Sequence, residues 1–244
     1  MNKMKTILLK LAGPLQSWGT SSHFETRHTD FYPSKSAIIG LIAASLGYRR
    51  DEEQRLQRLN ELDFAVRIDQ QGNILRDYHI AQKYKSKGEF ERTYVTNRYY
   101  LEDAIFIVAI SHEDDELMSA IEKGLKNPYF QTFMGRRSLP LNADFIVETT
   151  SDSALESLKR LKWQAAEWFM SKHSHETSIT LEIYADSFLS DKESNRLRQD
   201  RVISFSQKAR KFGFRYEVRD LVDVSNPMAK KGETQHDIFS SIGD

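Results

Sequence analysis

The strand that decides the fold is predicted by the run Ala104-Ile105-Phe106-Ile107-Val108-Ala109-Ile110. Every residue in it is apolar, which is the pattern of a central strand buried on both faces of a sheet. A helix is predicted over residues 114–125, because its apolar residues recur on one helical face. Those residues are Leu117, Met118, Ile121 and Leu125. Phe145-Ile146-Val147 then predicts another strand, so the run opens a strand-helix-strand unit.

A similar unit is predicted upstream. Residues 5–12 indicate a buried strand, and a helix opens at Ala37 after the start signals Pro33 and Ser34. A second, polar helix is predicted over residues 51–61, and residues 64–68 alternate as a strand. The complete order is β-α-β-β-α-β, the ferredoxin-like or RRM arrangement of an α+β protein. Enzymes, regulators and RNA-binding proteins all use this fold, so it does not assign a function.

The pattern changes near residue 150. Residues 151–171 predict a helix, and residues 179–184 predict a strand. The candidate core positions of that helix are Leu155, Leu158, Leu161 and Trp168. We therefore expect a ferredoxin-like domain over residues 1–149 and a smaller, β-rich C-terminal domain over residues 150–244. The stretch from Arg196 to Arg219 contains eight basic residues and only two acidic ones. That stretch fits a polyanion surface, a solvated side of a β-domain, or a contact with acidic partner subunits.

Composition limits the kinds of site that the chain can carry. The 244 residues contain 35 Lys and Arg against 35 Asp and Glu, so any nucleic-acid site has to be local. Cysteine is absent, which excludes disulfides, thiolate metal sites and a cysteine nucleophile. The motifs of zinc proteases, phosphate-binding loops and serine hydrolases are missing as well. The sequence therefore predicts no metal and no cofactor.

The N-terminus gives no sign of membrane targeting. The basic start is followed by an apolar run of about six residues that meets Lys10, which is too short for a secretory signal. No stretch approaches the roughly 18 apolar residues that span a bilayer. The sequence predicts a soluble, cytoplasmic protein with no membrane partner.

A candidate RNA-binding loop is the stretch Tyr129-Phe130-Gln131-Thr132-Phe133-Met134-Gly135-Arg136-Arg137-Ser138-Leu139-Pro140-Leu141. Aromatic rings such as that of Tyr129 can stack on bases, and glycine allows a close backbone approach. The exposed guanidiniums expected for Arg136 and Arg137 match phosphate oxygens. The alternative is a core aromatic cluster followed by a solvated basic turn. Gln16 and Trp18 follow the first strand at an edge where ligands often bind, although Trp18 also fits a buried core position.

A second candidate is the excursion over residues 76–100, which the fold does not require. Its six basic residues outnumber its three acidic ones. The basic residues are Arg76, Lys83, Lys85, Lys87, Arg92 and Arg98, and six aromatic residues are interleaved with them. A projecting ribbon of this kind can clamp single-stranded RNA, with cations on phosphates and rings on bases. A solvated hairpin with core-facing tyrosines is the alternative.

The order of these motifs resembles the CasD family, the RAMP-superfamily subunit of type I-E CRISPR Cascade, over about residues 4 to 150. The motifs that carry the resemblance are residues 6–19, 31–36, 76–79, 97–101 and 135–141. The resemblance implies a non-catalytic subunit that holds the 5′ handle of the CRISPR RNA (crRNA), with residues 76–100 as a thumb-like β-hairpin. It also implies contacts with the backbone RAMP subunit and the large subunit, and target DNA in the assembled complex. By this analogy Arg98 is the residue most expected to contact the handle.

Two other functions remain open at this point. Some relatives in other CRISPR subtypes are metal-independent ribonucleases, and His79 with Tyr78 and Lys83 offers a base, an acid and a cation for that reaction. His173 and His175 with Glu176 are too close in sequence for a helical pair of metal ligands. The third possibility is an assembly protein whose basic patches bind other subunits and never RNA.

Overall fold

A computed structural model describes residues 4–20, 25–194 and 196–230. Its strands are β1 (Lys5–Ala12), β2 (Leu15–Gln16), β3 (Thr26–Arg27), β4 (Asp63–Gln70), β5 (Asn73–Tyr84), β6 (Phe90–Glu102), β7 (Ile105–His112), β8 (Ile146–Thr150), β9 (Ser178–Asp186), β10 (Arg196–Ser204) and β11 (Lys211–Ser225). Its α-helices are α1 (Lys35–Ser45), α2 (Glu53–Leu59), α3 (Asp115–Lys126), α4 (Ala154–Arg160) and α5 (Glu167–Lys172), and a 3-10 turn covers Ser187–Leu189. The predicted α+β class is confirmed, with mostly antiparallel strands.

The larger of the two sheets has seven strands in the order β10-β11-β9-β4-β7-β1-β8. The apolar run from Ala104 to Ile110 forms most of β7, which pairs with β1 on one side and β4 on the other. Ile107 and Val108 are both completely buried, as a strand covered on both faces requires. The predicted central strand is therefore confirmed.

Helices cover both faces of this sheet. Residues from α1, α2 and α3 share the larger core cluster with one face of β1, β4 and β7. Helix α4 packs on the opposite face through Ala154, Leu155 and Leu158. Ser34 caps α1 as the sequence predicts, since its side chain accepts a hydrogen bond from the backbone N–H of Ala37. Burying both faces of the sheet accounts for the apolar pattern of its central strands.

The C-terminal strands extend the same sheet, because β9 pairs with β4 through Ala65, Val66 and Arg67. Strands β11 and β10 then continue the sheet outward from β9. The two-domain division near residue 150 stays a prediction. Strands from both sides of the proposed boundary belong to the same sheet.

The single helix predicted over residues 151–171 is wrong in detail. Helices α4 and α5 are separate because the buried side chain of Arg67 donates hydrogen bonds to the carbonyl oxygens of Leu158, Leu161 and Lys162. These bonds satisfy carbonyls at the end of α4, where Leu161 already has an extended backbone. Trp168, expected in the core, is 48% exposed, and Trp163 is buried in its place.

The second sheet contains the predicted excursion. Strands β5 and β6 form a long antiparallel hairpin, and β6 also pairs with β2 and, in parallel, with β3. Every residue from 82 to 93 is exposed, so the end of the hairpin projects without core packing. Gly88 turns the chain there with a φ of 82°, a conformation that favours glycine. Residues 73–102 are called the thumb hairpin below.

Candidate nucleic-acid interface

The loop over residues 129–141 is held by backbone hydrogen bonds to α1 at its start and by a further bond within the loop. The backbone N–H groups of Tyr129 and Phe130 donate to the carbonyl oxygens of Ser45 and Ala44, which satisfies carbonyls at the C-terminal end of α1. Further along, the Met134 N–H donates to the Leu139 carbonyl oxygen at 2.7 Å, which closes a tight turn. Gly135 to Arg137 lie within that turn. The loop is therefore a fixed platform for its two arginines.

Gly135 is required at its position for two separate reasons. Its φ of 85° lies in the left-handed region that side chains disfavour. A β-carbon there would also lie 1.6 Å from the carbonyl oxygen of Ser17, which no contact allows. The Ser17 N–H donates to the Met134 carbonyl oxygen at 3.2 Å, so the two segments are held together at this point. The close approach brings the turn against the segment that follows β2.

Arg136 is partly buried rather than exposed, which corrects one expectation from the sequence. Its Nη2 donates to the carbonyl oxygens of Arg27 at 2.9 Å and Tyr99 at 3.1 Å. Its guanidinium also lies over the ring of Tyr100, 4.2 Å from the ring centre. Its Nη1 is buried without a hydrogen-bond partner in the described part of the chain. Arg136 therefore joins β3 and β6 to the loop through Nη2, and the N–H groups of its Nη1 remain able to donate to a ligand.

Arg27 and Arg98 are brought together by the parallel pairing of β3 and β6, in which they are register partners. Arg98 is half-buried, whereas Arg27 is exposed. Arg137, one residue beyond Arg136, is exposed as predicted. Within residues 4–20, 25–194 and 196–230, none of these three guanidiniums has an ion-pair partner within 4 Å. We call Arg27, Arg98, Arg136 and Arg137 the arginine cluster.

An aromatic stack lies beside the cluster. The rings of His28 and Tyr99 are parallel within 12° and their centres are 5.5 Å apart. Sequence reasoning missed Arg27 and His28, because both lie in a polar loop with no pattern that links it to residues 97–100. The link is made by β3, a strand of only two residues. Cations next to flat rings are the combination that binds single-stranded nucleic acid.

The thumb hairpin has two chemically different faces because side chains alternate along a strand. One face carries His79, Lys83, Arg92 and Arg98. The other carries five large apolar side chains, each between 44% and 61% exposed. They are Tyr78, Ile80, Tyr84, Phe90 and Val95. Exposed apolar side chains on one face of a hairpin are typical of a protein contact.

Most predicted thumb cations already have partners within the hairpin. Lys83 Nζ lies 2.7 Å from Glu91 Oε1, and Lys85 Nζ lies 3.2 Å from Glu89 Oε2. The guanidinium of Arg92 lies 4.3 Å from the ring centre of Tyr94. Lys87 is exposed at the tip. These exposed ion pairs are weak and open readily. They nevertheless leave the thumb hairpin with fewer unpaired cations than a count along the sequence indicates.

The expected RNA contact of Gln16 is corrected by the structure, and Trp18 takes the buried core position that the sequence also allowed. Gln16 is completely buried, and its Nε2 donates to the carbonyl oxygens of Leu11 and Ala104. Trp18 is 2% exposed and donates its indole N–H to Gln16 Oε1 at 3.0 Å. All these polar atoms are satisfied inside the protein. By contrast, Tyr129 is 75% exposed and its ring packs beside Gly47, so it stays available to a ligand.

The residues offered for RNA cleavage are not assembled into a site. Tyr78 and His79 are neighbours on β5, so their side chains point to opposite faces. Lys83 shares the face of His79 but lies four residues, or about 13 Å, further along the strand.

Among the described residues, no group of three or more His, Asp or Glu side chains is placed to hold a metal ion. None of the described helices is long and apolar enough to cross a bilayer.

Part of the basic stretch over residues 196–219 is used internally. Arg215 is nearly buried and pairs with Asp200 at 2.7 Å, Glu217 at 2.9 Å and Asp186 at 3.2 Å. Burial disfavours its charge, but these carboxylates outweigh that effect and raise the pKa of Arg215. Arg198 pairs with the same group of carboxylates. These two arginines therefore hold β10 and β11 to the sheet and are not free for a polyanion.

Tyr32 belongs to the same network. Its hydroxyl donates to Glu217 Oε2 at 2.7 Å, and its ring stacks on Tyr184 with centres 4.1 Å apart. Burial raises the pKa of the Tyr32 phenol, and the Glu217 charge adds to that rise, against an opposing effect of Arg198. The phenol therefore stays protonated and keeps its hydrogen bond. This network anchors the loop before α1 to the C-terminal strands.

Residues 6–217 match the model of a protein family described as CRISPR-associated protein (Cas_Cas5). The chain belongs to this Cas5 family. A curated relative, the CRISPR system Cascade subunit CasD of Escherichia coli (strain K12), is 36% identical over 162 residues, which are 60% of this chain and 72% of the relative. The resemblance read from the sequence motifs is thereby confirmed.

Solved structures extend the likeness of this Cas5-family chain to almost its whole length. A chain of a "CRISPR RNA-guided surveillance complex" matches with a TM-score of 0.75 and 28% identity, over 94% of this chain and 95% of that one. A second structure, described as "Crystal structure of Cas protein", matches with a TM-score of 0.60 and 28% identity, over 93% and 98% of the two chains. The likeness to these two structures therefore takes in the C-terminal strands of this chain as well as its first half.

Proposed function

We propose that this protein is a non-catalytic subunit of a type I-E CRISPR surveillance complex and holds the 5′ handle of the crRNA. The observation that carries the proposal is the arginine cluster beside the His28–Tyr99 stack. Guanidiniums without carboxylate partners retain their full attraction for phosphates, and an adjacent ring pair offers a surface for bases. Family membership and the solved relatives supply the biological context.

The fold supports this proposal through its strand order. The strands of the first half lie in the order β4-β7-β1-β8 with antiparallel pairing, as the ferredoxin-like interpretation expects. In the chain, β5 and β6 follow β4 and precede β7, so the thumb hairpin is an insertion between two core strands. The projection of the hairpin therefore requires no change in the core.

We assign the two thumb faces to different partners. The face with His79, Lys83, Arg92 and Arg98 continues toward the arginine cluster and would follow the RNA backbone. The apolar face would pack on the backbone RAMP subunit, with the large subunit nearby. Target DNA would be recognised by base pairing with the guide in the assembled complex.

RNA retention in the assembled complex tests the handle site. The variant Arg98→Ala/Arg137→Ala should weaken retention by a few kcal/mol, at about 1.5–3 kcal/mol for each charge-assisted hydrogen bond. Lys123→Ala/Lys126→Ala removes the same charge from α3 and should leave retention unchanged. Equal retention in both variants would contradict the site.

Salt dependence separates RNA binding from a purely assembling role. Binding to phosphates should weaken with rising salt, with a slope of about 0.7 per contacted phosphate for single strands. Ile80→Ser/Val95→Ser should reduce co-purification with the other subunits at all salt concentrations, whereas Lys83→Ala/Arg92→Ala should spare it. If the basic-face variant lost the subunits and the apolar-face variant kept them, the face assignment would be reversed.

A further inference from the structure

The segment over residues 25–32, which precedes α1, is held by two different parts of the fold. Its first half belongs to the proposed handle site through Arg27, the register partner of Arg98 on β6. Its second half ends at Tyr32, which is buried against β9 and β11. The segment therefore connects the proposed RNA site to the C-terminal end of the seven-stranded sheet.

Arg198 of β10 holds the second half of this segment. Its Nη2 lies 3.2 Å from Asp30 Oδ2 and donates to the Tyr32 carbonyl oxygen at 3.3 Å. Its guanidinium also lies over the ring of Tyr32, 4.1 Å from the ring centre. One side chain of β10 thus fixes the segment at two positions, through a carboxylate and through the backbone.

Arg198 is not itself available to RNA. Its side chain is only 10% exposed. Its Nη1 donates to Glu217 Oε1 at 3.4 Å, and its Nε lies 3.4 Å from Asp200 Oδ2. Each of its three nitrogens therefore has a partner inside the protein. Any effect of Arg198 on RNA binding has to act through the residues that it holds.

Asp30 transmits this hold toward the handle site. Thr20 Oγ1 donates to the same Asp30 Oδ2 at 2.9 Å, so one carboxylate oxygen joins Arg198 to the segment that follows β2. Asp30 is three residues from Arg27, at most about 11 Å along an extended chain. Arg198 also neutralises the Asp30 charge, which would otherwise repel a phosphate bound at Arg27.

The position of Arg27 depends on its backbone. Its side chain is exposed and has no ion-pair partner within 4 Å among the described residues. Its carbonyl oxygen accepts a hydrogen bond from Arg136 Nη2 at 2.9 Å, and Asp30 and Tyr32 fix the chain that follows. A segment that is ordered before the ligand arrives raises affinity, because binding then carries no ordering cost.

We propose that Arg198 is a positioning residue for the handle site. It holds residues 29–32 on the C-terminal strands, so that Arg27 stands beside Arg98 before the RNA binds. The inference rests on the proposed function and extends it to β10, which contributes no RNA contact of its own. The buried carboxylate network thereby supports RNA binding as well as the packing of the sheet.

A double-mutant cycle in RNA affinity tests the proposal. Fluorescence anisotropy would measure the Kd of the full chain for a labelled, single-stranded repeat RNA. Arg27→Ala should weaken binding at least about tenfold, the loss of one charge-assisted hydrogen bond. Arg198→Met should weaken binding about twofold to tenfold, the cost of ordering one long side chain on binding. In a chain that already carries Arg27→Ala, the effect of Arg198→Met should fall below about twofold, because the residue that it positions is absent.

Two controls separate positioning from a general loss of stability. Arg137 is presented by the loop over residues 129–141, so the effects of Arg137→Ala and Arg198→Met should be additive. Arg215 contacts the same carboxylates as Arg198, but its ion pairs do not include Asp30. Arg215→Met should therefore lower the unfolding temperature, as Arg198→Met does, and change RNA affinity by less than about twofold.

A conservative variant completes the set. Arg198→Lys keeps a positive charge beside Asp30 and should recover part of the affinity that Arg198→Met loses. It also takes the place of Arg198→Met in the cycle if that variant does not fold.

Additive effects of Arg27→Ala and Arg198→Met would overturn the positioning role, and so would an equal loss of affinity in Arg215→Met. Unchanged affinity in both Arg27→Ala and Arg137→Ala would contradict the handle site itself, and the positioning role with it. The single substitutions thus test the handle site, and the cycle tests the role of Arg198.

Discussion

Gly135 lies against the carbonyl oxygen of Ser17 so closely that a β-carbon at position 135 would be 1.6 Å from it. This contact fixes the turn that presents Arg136 and Arg137 beside β3 and β6. The geometry of the proposed handle site therefore depends on a residue that has no side chain.

Replacing Gly135 with Ala should displace this turn. The left-handed backbone alone costs about 1–2 kcal/mol, and the clash with Ser17 adds to it. Gly88 is a matched control, since its φ is 82° but a β-carbon there would meet nothing within 4 Å. Denaturant unfolding should show a larger loss of stability for Gly135→Ala than for Gly88→Ala, and only the former should weaken RNA binding. Equal losses would mean that the turn can move away from Ser17 at little cost.

The two arginines after Gly135 should respond differently to substitution. Arg136→Ala removes the hydrogen bonds to two backbone carbonyls and should lower the free energy of unfolding by about 1.5–3 kcal/mol. Arg137 is exposed and has no ion-pair partner in the described chain, so Arg137→Ala should change stability by less than about 0.5 kcal/mol. Both should weaken RNA binding. Unfolding curves that are the same for both variants would contradict the joining role of Arg136.

Asp220 should make stability depend on pH in the acid range. Burial alone would raise its pKa, but hydrogen bonds from the ammonium groups of Lys159 and Lys192 outweigh burial and lower the pKa to about 2. A lowered pKa stabilises the folded state above the unfolded-state value of about 3.9. This contribution, on the order of 2 kcal/mol, is lost as the pH falls toward 2.

The measurement compares the native chain with Asp220→Asn. The difference in unfolding free energy between them should be full at neutral pH and should shrink as the pH falls from about 4 toward 2. Asp223→Asn, at an exposed position on the same strand, is the control. A difference that stays constant over this interval would show that Asp220 has an ordinary pKa.

Purified protein should leave repeat RNA intact, with or without magnesium. The reason is geometric, since Tyr78 and His79 lie on opposite faces of β5 and Lys83 is about 13 Å away along the strand. Gel analysis of labelled repeat RNA provides the measurement. Specific cleavage that disappears in His79→Ala would establish the ribonuclease alternative, and cleavage that persists in that variant would have another source.

The core strands and helices in the first half of the chain could be predicted from local sequence patterns, whereas the two-residue strands β2 and β3 could not. Apolar runs such as Ala104 to Ile110 and the capping signal at Ser34 are local patterns, and local patterns are sufficient to define single elements. The sequence also determined the Cas5-family assignment, because the motifs that carry it are short and contiguous. Gly135 was identifiable as a turn residue for the same reason.

Which residues come into contact depends on the folding of segments that are distant in the chain. From the sequence, Gln16 and Trp18 look accessible at the end of a strand, but both are buried, and Gln16 donates a hydrogen bond to the carbonyl oxygen of Ala104, which is distant in the chain. Arg27 joins Arg98 through a parallel pairing of two residues, which is too short to leave a sequence pattern. Contacts across a sheet depend on which distant segments pair, and a local sequence pattern defines a strand without naming its partner.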